Sequence, residues 1–224
     1  MKILVLAILL LFLTTVHLYG QRSLTKDEIL KHWSLPSDEQ IRDSIGIVDS
    51  DSTLNVRLVE LVDSLQTKKI DSVIIYSIAY PGYFSMSKCD TEIFPITTFV
   101  IWNNGGVTYI RKLQGNCLSE ITKDSSSHLF DFYNDNYQKL KSESFMPVIL
   151  SGRINKDKTV SYAMSWSSDE PKYSFYYKIG NNSKSYHFCQ SYLDNKESLF
   201  HDYNLTLSAY HWWQLVKLGT DKLD

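Results

Sequence analysis

The sequence predicts an α+β protein: an antiparallel sheet of about six or seven strands, with helices packed mainly on one face. Three observations lead there. Residues 96–113 hold two β-branched and aromatic runs that meet at Asn103, Asn104, Gly105 and Gly106, the composition of a tight hairpin. Further strand-like runs flank it at residues 71–80, 148–154, 159–166 and 173–190, the last turning within residues 180–183. Apolar residues at helical spacing recur near the start, in the middle and at the end of the chain.

Taken in order, residues 1–20 have the form of a secretory signal peptide: Lys2 supplies the positive start, residues 3–13 are unbroken apolar, and a more polar stretch runs to Gly20. An uncleaved membrane anchor is the weaker alternative, because the apolar run falls short of the roughly 20 residues a bilayer span needs. Residues 21–50 then make an N-terminal helical or partly flexible segment, and residues 51–224 a single α+β domain. Thr25 and Glu28 have capping-box spacing ahead of Ile29, Leu30 and Trp33, and Ser37 with Gln40 repeats the device. A helix is predicted over residues 52–65 from Leu54, Leu58, Leu61, Val62 and Leu65.

The strand at 71–80 stops at Pro81 and Gly82, and the loop 82–95 is long enough to be the first place to look for a site. In the central hairpin, a two-residue loop at Asn104 and Gly105 sets Trp102 opposite Val107 and Val100 opposite Tyr109, and requires positive φ at Asn104. Residues 125–140 form a helix through Leu129, Phe132, Tyr133, Tyr137 and Leu140. The run 159–166 alternates, with Val160, Tyr162, Met164 and Trp166 on its apolar face. Pairing Ile179 with Lys184 in the second hairpin gathers Tyr173, Phe175, Tyr177, Tyr186 and Phe188 on a core face, and Ser174, Tyr176, His187 and Cys189 on the other. A final helix over residues 204–218 carries the stripe Leu205, Ala209, Trp212 and Val216, with Trp213 off it and Gly219 as its stop.

Charge excludes some partners. The chain has 23 basic and 25 acidic residues; removing the signal takes Lys2 alone, leaving 22 against 25 and a net charge of −3. With no basic cluster, neither nucleic acid nor, after signal cleavage, a membrane is an expected partner. Three cysteines allow one disulfide. Cys89 and Cys117 flank the central hairpin and are the expected pair, stabilising by about 3 to 4 kcal/mol through loop closure. Two buried free thiols are the alternative, and Cys189 is the odd residue.

Signals of catalysis are sparse. Ser85 and Lys88 reproduce the Ser-x-x-Lys spacing of serine β-lactamases and penicillin-binding proteins, but the companion motifs are missing, so the match reads as accidental. His187 and Cys189 share a strand face and, with His201, Asp202 or His211, have donor types suited to zinc or a thiol–imidazole pair; nothing in the spacing brings them together. No nucleophile-elbow, phosphate-loop, dinucleotide or calcium-loop pattern is present, and no cofactor or metal is expected. Among 15 Tyr, 10 Phe and 5 Trp, those left over from the core faces are chiefly Tyr176, Tyr192, Tyr203, Tyr210 and Trp213. They suit a recognition surface, although Tyr also fills rim positions in any small antiparallel fold. The expectation is a secreted or periplasmic, non-catalytic binding or interaction protein whose partner is a protein or glycan. The competing class is an envelope hydrolase assembled from Ser85, Lys88, His128, His187 or His201.

Overall fold

The computed structural model describes residues 22–33, 56–81, 96–115, 117–124 and 128–223. The expected signal peptide, the Ser37–Gln40 cap, Leu54, and the loop with Ser85, Lys88 and Cys89 lie outside these residues.

The chain enters through β1 (Arg22–Ser23) and α1 (Lys26–His32), and α2 (Val56–Thr67) leads into β2 (Ser72–Ala79). β3 (Ile96–Asn104) and β4 (Val107–Gln114) form the first hairpin, followed by the short β5 (Cys117–Leu118) and β6 (Thr122–Asp124). After α3 (Leu129–Ser142) come β7 (Ile149–Ile154) and β8 (Val160–Met164), then β9 (Lys172–Ile179) and β10 (Asn182–Cys189) as a second hairpin. α4 (Gln190–Asp194), α5 (His201–Thr206), α6 (Ser208–Thr220) and a 3-10 turn (Asp221–Leu223) complete the described elements.

The strands divide into two sheets. A seven-stranded antiparallel sheet has the order β10-β9-β2-β3-β4-β5, with β6 also on β4; the smaller sheet is β1-β7-β8. β2 lies between the two hairpins, which explains why it is apolar on both faces. Ile74, Tyr76, Phe99, Ile101, Phe175 and Tyr177 point into the main core beneath α3 and α6, where Leu129, Tyr133, Trp212 and Val216 meet them. Val73, Val100 and Trp102 point the other way and are covered by Leu61 and Leu65 of α2. A third core joins Leu24, Ile29, Met146, Ile149 and Phe200 around the small sheet. The capping box forms as expected: Thr25 Oγ1 accepts from the Glu28 N–H at 3.3 Å, and the Thr25 N–H donates to Glu28 Oε2 at 3.0 Å.

Several details differ from expectation. In the first hairpin Asn104 pairs with Val107, Trp102 with Tyr109 and Val100 with Arg111, so the loop is Gly105 and Gly106. Both glycines have positive φ, 61° and 79°, whereas Asn104 remains in β3; two glycines meet the demand of the turn with no Cβ strain. The second hairpin likewise closes on Gly180 and Asn181, with Asn182 opposite Ile179. The final helix is broken at Leu207, which is extended at φ −64° and ψ 138°. Long-range bonds fix the chain on each side of that break, from Asn204 to Met146 and from the Ala209 N–H to the Glu143 carboxylate. α6 runs through Gly219 instead of stopping there. β8 ends at Met164, and beyond it Trp166 is 77% exposed, not a core residue. No described helix is long and apolar enough to cross a membrane.

Candidate functional site

Strand pairing builds one chemical feature that no single segment contains. Ser77 of β2 lies opposite Thr98 of β3 on one side and Ser174 of β9 on the other, and Ser174 in turn lies opposite His187 of β10. Directly opposed residues share a face, so Thr98, Ser77, Ser174 and His187 form a polar row across four strands. The row runs on the face away from the main core, beyond the apolar patch that α2 covers. Ser77 Oγ and Thr98 Oγ1 are 2.9 Å apart and hydrogen-bonded to each other. Lys172 and Cys189 form the next row along, and Tyr176 with Ser185 the row before.

This arrangement places an imidazole beside a hydroxyl, the ingredients of a proton relay. The neighbouring thiol is ill suited to nucleophilic work. Cys189 is free and buried, and burial, reinforced by the Glu170 carboxylate, pushes its thiol up to about 12, with Lys172 acting weakly the other way. At neutral pH it stays protonated, the opposite of an activated cysteine. Glu170 itself is occupied in anchoring α4: the Ser191 N–H and Ser191 Oγ both donate to its carboxylate.

The other histidines singled out by sequence lie elsewhere. His201 Nδ1 is 2.9 Å from Asp202 Oδ1 at the start of α5, and His128 Nδ1 is 3.4 Å from Asp131 Oδ2 at the start of α3. Each is a local contact within its own helix end. Among the described residues no group of three or more His, Cys, Asp and Glu side chains could hold a metal ion. Cys117 lies in β5 opposite Gln114, and its expected partner Cys89 is outside the described residues.

The surplus aromatics do not form an exposed patch. Trp213 is 5% exposed and belongs to the main core, where its ring meets Tyr173 at 5.1 Å and Phe188 at 5.3 Å. Tyr192, Tyr203 and Tyr210 are half-buried against that core. Among the described residues the exposed aromatic is instead Trp166, just past β8; in the small sheet Met164 is 43% and Leu150 38% exposed. Leu150 falls at the irregularity in the β7–β8 ladder, which turns it out of register. A signal for this surface was present in the sequence: residues 159–168 contain no charged residue and no proline. Of the polar row the sequence showed only the shared face of Ser174 and His187; joining them to Ser77 and Thr98 depends on β2 and β9 becoming neighbours across almost 100 residues of chain. Set against known proteins, the chain matches no family model, no curated protein and no solved structure.

Proposed function

We propose that the chain is an exported, non-catalytic binding or interaction protein of the cell envelope or extracellular space, with a protein or glycan as its partner. The observation that carries this reading is the uncharged edge strand β8, followed two residues past its end by the exposed Trp166. An exposed Trp two residues from an exposed Met has the side-chain chemistry of an interface anchor, since large rigid apolar groups contribute most when a partner excludes water from them. Lys2 followed by the apolar run 3–13 supports export, and an oxidising compartment would join Cys89 to Cys117, leaving Cys189 as the buried thiol.

The test has two parts. The chain recovered from its producing cell should have the mass of a protein beginning after Gly20, and a photo-crosslinking residue in place of Trp166 should give a discrete adduct that the same residue in place of Lys141, exposed on α3, does not. An intact Met1 on a chain retained inside the cell overturns export. A serine-reactive fluorophosphonate that labels the folded protein, and loses that labelling on Ser77→Ala or Ser174→Ala, would replace this reading with the hydrolase.

A further inference from the structure

We propose that the partner of the β8 edge is a second copy of this chain, joined by antiparallel pairing of β8 with β8 about Tyr162. The inference deepens the interaction-protein reading and rests on it. The fold protects its other sheet edges. In the large sheet β10 carries Lys184, whose Nζ donates to the Leu140 and Lys141 carbonyls at 3.0 Å, and the far side ends in β5 and β6, strands of two and three residues. In the small sheet β1 is also only two residues long. Short strands and lysines are the usual protection against edge-to-edge association. β8 has neither: it spans five residues, Val, Ser, Tyr, Ala and Met, and pairs only with β7 among the described residues.

Hydrogen-bond alternation sets the register. The Asn155 N–H donates to the Thr159 carbonyl at 2.8 Å and the Ser165 N–H to the Val148 carbonyl at 3.1 Å, both directed toward the β7 side. Antiparallel ladders alternate, so Val160, Tyr162 and Met164 turn their N–H and C=O groups outward, onto the open edge. A two-fold axis at Tyr162 places that residue opposite its own copy and Val160 opposite Met164 of the second copy, each pair exchanging both bonds. The contact is isologous and closes as a dimer.

Charge favours this occupant. The turn before β8 carries the exposed Lys156 and Lys158 against one carboxylate, Asp157, which the Thr159 N–H and hydroxyl hold at 3.0 and 2.6 Å, so the turn keeps a net positive charge. Beyond β8 comes the exposed Asp169. Antiparallel self-pairing brings the basic turn of one copy to the Trp166 and Asp169 end of the other, setting Lys158 against the face of Trp166. Parallel pairing would set lysine against lysine.

Sedimentation velocity of the mature chain over a concentration series decides the matter. The wild type is expected as a concentration-dependent dimer, Trp166→Lys as a monomer because it opposes Lys158, and Trp166→Lys with Lys158→Asp as a dimer again. Leu218→Lys, at a 63% exposed position on α6, should leave the dimer intact. Met164→Lys provides a second edge variant with the same expected loss. A wild type that stays monomeric, a dimer indifferent to both edge variants, or a charge swap that fails to restore pairing overturns the proposal. If the monomer nevertheless crosslinks from position 166 to a molecule of different mass, this inference falls while the interaction reading stands.

Discussion

Asn204 is fully buried, and two other segments of the chain converge on it. Its Oδ1 accepts from the Met146 N–H at 2.8 Å, and its Nδ2 donates to the Met146 carbonyl at 2.8 Å and the Tyr192 carbonyl at 2.9 Å. A carboxamide is needed there because the site asks for an acceptor and two donors at once. Removing it leaves buried backbone groups without partners, each costing about 1 to 3 kcal/mol. Asn204→Ala is therefore expected to lower unfolding free energy by about 2 to 4 kcal/mol, and Asn204→Asp, which cannot donate when ionised, by more. Urea denaturation measures both; an unchanged midpoint would show that the clamp is dispensable. Neither the burial nor the partners of Asn204 could be read from its surroundings in sequence, since Met146 is 58 positions away.

Among the elements, the β3–β4 hairpin shows how a misplaced turn can leave the strand faces intact. The observed pairing differs from the expected one by two residues, and because side chains alternate with a period of two, Trp102 and Val100 still share one face while Phe99 and Ile101 share the other. The turn itself is where the energy is specific. An added Cβ at Gly105 or Gly106 meets nothing within 4 Å, so the cost of alanine there comes from the positive φ alone. Gly105→Ala and Gly106→Ala should each destabilise by about 1 kcal/mol, with Asn104→Ala costing less, as thermal or urea unfolding will register. A larger loss at Asn104 than at the glycines would contradict the register. Gly152 is constrained differently: a Cβ there would come within 3.0 Å of the Ile29 side chain, which is how closely α1 packs on β7.

At the scale of the whole molecule, the main core buries Tyr76, Tyr133, Tyr173, Tyr177 and Tyr186, and this gives it a characteristic response to alkali. Burial pushes Tyr173 and Tyr177 up to about 12 from an ordinary 10.0, raises Tyr76 and Tyr186 further, and moves Cys189 from 9.0 to about 12. The folded state keeps protons that the unfolded chain releases, so the contribution is complete below pH 9.0 and is lost as pH climbs toward about 12. Stability should fall steeply over that window, with tyrosinate absorbance rising cooperatively at unfolding; smooth titration of all tyrosines in a still-folded protein would refute the assignment. The α+β class, the presence of the two hairpins though not their registers, the capped α1 and the aromatic faces of β9 and β10 were settled by sequence alone, because local periodicity and turn chemistry act over a few residues. Tertiary structure alone decided that the strands split into two sheets, that Trp213 is buried while Trp166 is exposed, and that Ser77, Thr98, Ser174 and His187 share a row. Those outcomes depend on which strands become neighbours, and such pairings are fixed by the competition of distant apolar surfaces for burial, a contest that no local window of sequence contains.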